Sequence, residues 1–122
     1  MANNETLNGH APLEVAVHTA DYILTADDSG TAHSSKGAAG AIAAKLPAAT
    51  PGLRFTFYVG AAQEHRVTPL IAEQVCATAT DVAGTAGKYI SADAIGETLQ
   101  IACFEAGIWT NLASGGTWTV QA

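Results

Sequence analysis

The sequence predicts an all-β domain, a compact antiparallel β-sandwich or barrel-like meander with an extended N-terminal arm. Three observations carry this expectation. Arg54 to Val59 and Glu97 to Phe104 alternate apolar and polar residues with the period of two that a half-buried strand requires. Short β-prone runs recur at roughly 8–12 residue spacing between glycine-rich turns, the rhythm of a sandwich or barrel. The one alanine-rich stretch, near residues 37–47, holds Gly37 and Gly40 and stops at Pro47, which leaves any helix too short to stand alone.

Residues 1–20 read as the arm and 21–122 as the β domain. The arm mixes Asn-rich polar sequence with the alternating run Leu13, Val15, Val17, and Pro12 biases Ala11 toward extended structure. Leu13 to Val17 is therefore expected to be a strand able to pair with its own sheet, a sister protomer or another protein's edge. A frayed terminus with one edge strand is the competing reading. Leu7, Leu13, Val15 and Val17 are the candidate contact residues.

Tyr22 to Thr25 is a second short strand, closed by Ala26-Asp27-Asp28-Ser29-Gly30, a turn sequence. Asp27 and Asp28 lack the further oxygen ligands and the closing glutamate of a calcium loop. Thr31 to Ser35 and Ala41 to Leu46 are expected to be strands. Thr50-Pro51-Gly52-Leu53 fits a type II turn, with proline presetting φ at its second position and glycine taking positive φ at its third. In the strand that follows, Phe55, Phe57 and Val59 should face the core, with Arg54, Thr56 and Tyr58 outside. Glu64 to Thr68 looks polar enough for an edge strand ended by Pro69. Lys88 to Ser91 is a strand, and Leu99, Ile101 and Cys103 share the inner face of the next one. Ala106-Gly107 sits at a tight hairpin turn leading into Ile108 to Leu112, and Gly115-Gly116 makes the return into Thr117 to Val120.

Composition narrows the function. The chain has 122 residues, enough for one core, and only 13% are charged, against roughly 25% in ordinary soluble domains. Such a neutral surface costs little to desolvate, so a homo-oligomer or a protein docked on a larger assembly is expected. The net charge is −6 and the five cations, Lys36, Lys45, Arg54, Arg66 and Lys88, are scattered, which argues against nucleic acid. No apolar run reaches the 18 or so residues of a membrane span. Residues 1–20 contain no Lys or Arg and no apolar core of a secretory signal, so synthesis in a cytoplasm is expected.

No catalytic constellation is found, and neither an enzyme nor a cofactor is expected. His10, His18, His33 and His65 are far apart in sequence with no metal-binding spacing, and His65 reads as a surface residue of a polar strand. Cys76 and Cys103 have no CxxC neighbour and are expected to be buried free thiols. The glycine-lysine stretches at 37–45 and 84–88 lack the strand-to-helix context that would aim backbone amides at a phosphate. Trp109 and Trp118 have two readings, as core anchors beside Phe55, Phe57, Leu99 and Ile101, or as exposed platforms for sugar rings.

The run LPAATPGLRFTFYV, followed some thirty residues later by GKYISADAIGETLQIACFEAGIWTNLASGGTW, resembles a family of small β-rich virion proteins of tailed bacteriophages. The resemblance covers roughly Tyr22 to Trp118. It rests on the Asp28 to Gly30 turn, Leu46-Pro47, the Gly52-x-x-Phe-x-Phe strand, Ala94-Ile95-Gly96-Glu97, Ala106-Gly107-x-Trp109 and the closing Gly116-Thr117-Trp118. The chain departs from the pattern at Ala41-Ile42-Ala43-Ala44-Lys45, where a β-branched strand is usual, which leaves the pairing of this strand open.

The resemblance implies a structural role with no catalytic residues to transfer. It points to a capsid decoration (cement) protein on the outer surface of the head, with the major capsid protein as partner and a homotrimer as the working form. A tail-fibre or tail-appendage module, binding a receptor or glycan, is the alternative. The start at Met1 and the lack of a shaft sequence favour decoration.

Overall fold

The structure is a computed structural model that describes residues 12–81 and 84–122. Among the described residues, eleven strands form two sheets packed face to face: β1 (Val15–Val17), β2 (Tyr22–Ile23), β3 (Ala32–Ser34), β4 (Ile42–Lys45), β5 (Arg54–Tyr58), β6 (His65–Thr68), β7 (Gln74–Val75), β8 (Ile90–Ala92), β9 (Thr98–Glu105), β10 (Ile108–Gly115) and β11 (Thr119–Val120). A single 3-10 turn, Ala26–Asp28, lies between β2 and β3. The first sheet has the order β1-β3-β5-β9-β10-β7 and the second β11-β8-β6-β4-β2. The protein is an all-β sandwich.

Within each sheet the pairing is mixed, where the sequence suggested a purely antiparallel meander. β5, β9 and β10 are antiparallel neighbours, as are β6, β8 and β11. The N-terminal strands, in contrast, join in parallel: β1 to β3 and β3 to β5 in one sheet, β2 to β4 and β4 to β6 in the other. The chain reaches these parallel registers by alternating between the sheets, so that β1, β3 and β5 fall in the first and β2, β4 and β6 in the second. Local hydrophobic pattern sets which face of a strand is buried but carries no information on the direction of a neighbour that arrives from elsewhere.

The alternation itself is realised as expected. Phe55, Phe57, Val59, Leu99, Ile101 and Cys103 are all buried in one core with Trp109 and Trp118. Gly52 takes φ 102° and Leu53 N–H donates to the Thr50 carbonyl at 3.2 Å, closing the expected turn. Gly107, at φ 88°, turns β9 into β10, a conformation that a Cβ would strain. Ile42–Lys45 is a strand despite its alanines, because its neighbours β2 and β6 take up its backbone groups on both sides.

A second expectation is also corrected. Residues 64–68 do not form an edge: β6 lies in the middle of the second sheet, between β4 and β8, with His65 and Val67 fully buried. The polar look of this stretch comes from Glu64 and Arg66, whose side chains pair at 2.8 Å on the outer face, with Arg66 also lying over the Tyr89 ring.

Candidate functional site

Two features at the β1 end of the sandwich depart from a plain packed core: an apolar outer face, and a cluster of aromatic and imidazole rings beneath it.

The outer face begins with β1. Its register with β3 sets Val15 beside Ala32 and Val17 beside Ser34, and β3 in turn aligns those residues with Thr56 and Tyr58 of β5. Because side chains alternate, this whole row points away from the core. Leu13, Val15 and Val17 are 58%, 59% and 60% exposed, an unusual position for three aliphatic side chains in succession on one face. With Tyr58 and Thr98 they border a shallow hollow that bears no formal charge.

β1 is also an edge. Ala32 N–H donates to the Glu14 carbonyl at 2.9 Å and His18 N–H to the Ser34 carbonyl at 2.9 Å. The alternation of a parallel ladder therefore turns the backbone groups of Val15 and Val17 to the open side. No other strand among the described residues pairs with that side. Of the predicted contact residues, the structure thus brings Leu13, Val15 and Val17 together on one exposed face, the two valines on an edge strand of the domain's own sheet and Leu13 just before it. Leu7 lies outside the described residues.

Beneath this edge, His18, Tyr22, His33 and His65 meet. The expectation that the histidines are unrelated and that His65 lies on the surface is overturned: three of the four converge, and His65 is fully buried. His18 stacks flat on Tyr22 with ring centroids 3.5 Å apart. Its Nε2 lies 2.9 Å from Nδ1 of His33. Tyr22 Oη lies 2.7 Å from Nε2 of His65, and the His65 and Phe57 rings are perpendicular with centroids 5.7 Å apart.

The partners fix the proton on each contact of this network. Thr31 gives its single hydroxyl hydrogen to the Asp28 carbonyl at 2.6 Å, so its Oγ1 can only accept from Nε2–H of His33 at 2.7 Å. His33 Nδ1 is then a bare acceptor, and His18 Nε2–H must be the donor to it. Likewise the Tyr58 carbonyl, 3.2 Å from His65 Nδ1, can only accept. His65 Nε2 is therefore the acceptor of the Tyr22 hydroxyl hydrogen. His33 and His65 are thereby held neutral in defined tautomers, and His18 carries a hydrogen on Nε2.

Electrostatics agree with that assignment. Burial pushes the pKa of His33 down to about 4, with His18 nearby adding to the shift and Asp28 opposing it. Burial likewise pushes His65 down to about 4, against the Tyr58 carbonyl, which favours its proton. His18 is lowered by burial, and the Tyr22 hydroxyl is raised by it. Both nitrogens of His33 and of His65 are engaged in hydrogen bonds, and no group of three metal-ligating side chains occurs among the described residues.

The remaining predicted residues are structural. Trp109 and Trp118 are 0% and 4% exposed, which removes them as sugar platforms, and Trp118 Nε1 donates to the Thr98 carbonyl at 2.8 Å. Cys76 and Cys103 are buried free thiols whose pKa values burial raises, so neither is a ready nucleophile. Sequence reasoning missed Tyr22, His18, His33 and Tyr58 as partners in one region. The only sequence signal was parity: His65 shares its face with Val67, and Val67 belongs to the core.

The chain matches no protein-family model, and no curated protein matches it.

Proposed function

We propose that the protein is a structural virion component of a tailed bacteriophage, a capsid decoration protein that binds the outer surface of the head and stabilises it. The resemblance of Tyr22 to Trp118 to small phage virion proteins supports the class. The observation that carries the binding role is the outer face at β1, where Leu13, Val15 and Val17 stand exposed beside open backbone groups. An edge of this kind is suited to pairing with a strand of another chain, with main-chain bonds supplying affinity and alternate side chains supplying register.

The partners in this reading are the major capsid protein and two sister copies in a trimer. Each single contact need not be strong, because a trimer engaging three sites at once gains from effective concentration. Low surface charge suits this role, since the protein is covered on one face and neutral side chains are desolvated cheaply. The chain works by binding alone, without a cofactor or a catalysed reaction.

The test is binding of the purified protein to expanded capsid shells that lack it, scored by sedimentation of the shells. Replacing Val15 and Val17 together by Glu alters exposed side chains only and should leave the circular dichroism of the sandwich unchanged while abolishing co-sedimentation. Undiminished binding by the folded double variant would remove β1 from the interface. Binding of the wild-type protein to purified tails and not to heads would favour a tail-appendage role.

A further inference from the structure

We propose that the His18–His33 contact is an acid-released latch that holds β1 on the sandwich: when both rings carry a proton, β1 leaves β3. The inference stands apart from the capsid reading, because it concerns only how the edge strand is held.

The geometry explains why the latch matters. β1 is three residues long and pairs only with β3 among the described residues. Its two valines point outward and are more than half exposed, so they contribute little burial to its retention. What fastens the C-terminal end of β1 is His18, through the backbone bond to Ser34, the stack on Tyr22 and the ring bond to His33.

The ring bond tolerates one added proton but not two. In the neutral pair His18 Nε2–H donates to His33 Nδ1. If His33 takes a proton on Nδ1, His18 can shift its own hydrogen to Nδ1 and accept through Nε2, so a singly charged pair keeps its bond. A second proton makes both facing nitrogens donors, and two positive rings then confront each other at 2.9 Å.

Little in the surroundings offsets that repulsion. Around the pair stand Tyr22 from β2, whose buried hydroxyl stays neutral, and His65 from β6, which would add a third positive charge. Phe55 and Phe57 of β5 also face His33 and are uncharged. The one carboxylate that favours a proton on His33 is Asp28 of the 3-10 turn, and Glu14 and Asp27 line the same side hollow. The second proton enters well below the usual imidazole range, so the latch is closed at neutral pH and opens in acid.

The experiment follows amide hydrogen exchange of the isotope-labelled full-length chain from about pH 7 down to about pH 3.5, corrected for intrinsic rates. The His18 and Ala32 amides report the β1–β3 bonds, and the Cys103 amide, bonded to the Leu53 carbonyl, reports the core. Protection at His18 and Ala32 should fall by about tenfold or more as the His33 ring titrates, with Cys103 still protected. Full protection at His18 and Ala32 after both rings have titrated would overturn the proposal. So would loss of all three together, which is global unfolding.

His18→Gln keeps a neutral donor for His33 and removes the second charge. It should move the release of Ala32 protection down by about half a pH unit or more. An unchanged midpoint in the folded variant would also overturn the latch.

Discussion

The carboxylate of Glu97 accepts the Thr117 N–H at 2.8 Å, tying the start of β9 in one sheet to the loop that leads into β11 of the other. Its second oxygen accepts the Ala94 N–H at 2.9 Å. The Thr117 and Ala94 amides, in that order, hold the Glu97 carboxyl below the usual carboxylate range. A Cβ at Gly116 would collide with this carboxylate, so the glycine is required by the close approach as well as by its φ of 81°. The Gly-Thr-Trp ending is thus a crossing between sheets, pinned by Glu97 on one side and by the Trp118 indole bond to Thr98 on the other.

Replacing Glu97 by Ala should cost about 1–3 kcal/mol, since two amides lose a charged acceptor. Chemical denaturation at neutral pH measures this. A depressed carboxylate contributes stability above its unfolded pKa and loses it as pH falls through the folded value, so the difference between wild type and variant should shrink in acid.

Trp109→Ala should destabilise the protein by about 3–5 kcal/mol, because it empties the centre of the core where the indole packs against Phe55. Trp118→Phe keeps most of the volume but leaves the Thr98 carbonyl without its indole donor, at about 1–2 kcal/mol. In the native protein both indoles should resist quenching by acrylamide, and strong quenching would contradict their burial.

Tyr22 and His65 should be energetically coupled. Tyr22→Phe strands the buried Nε2 of His65, at about 1–3 kcal/mol. Once His65 has been replaced by Leu, removal of the Tyr22 hydroxyl should cost clearly less. A double-mutant cycle by denaturant unfolding gives the coupling directly.

Stability should fall in acid before the carboxylates titrate. His33 and His65 have folded pKa values of about 4, below the ordinary 6.5. The unfolded chain therefore binds more protons between these values, so their contribution is complete above about pH 6.5 and is lost as pH falls through about 4. Each pKa unit is worth about 1.4 kcal/mol, which makes the loss on the order of 3 kcal/mol for each buried ring. Unfolding midpoints at a series of pH values should decline over this window, and the His65→Leu variant should decline less steeply.

Much of the fold was legible in the sequence, and the reason is local. Phe55/Phe57 and Leu99/Ile101/Cys103 announce their buried faces by alternation, and Gly52 and Gly107 mark turns that need positive φ. The parallel pairing of β1, β3 and β5 was not legible, since it depends on the chain alternating between sheets. Nor was the imidazole cluster, whose members are separated in sequence and meet only when the second sheet closes over the first. Glu64 and Arg66 concealed it by lending His65 the look of a surface residue, although Val67 two positions on shares its inward face. The exposed run Leu13, Val15, Val17 was visible from the start. Its pairing with the domain's own sheet was one of the readings the sequence left open, and the parallel register with β3 decides it.

The proposed role is tested most directly by electron microscopy of purified virions, with density assigned to this chain by fitting the sandwich. Regular copies across the outer head surface, grouped in threes and contacting the capsid through β1, are expected. Density confined to the tail, or a head surface that lacks the chain, would contradict the decoration role.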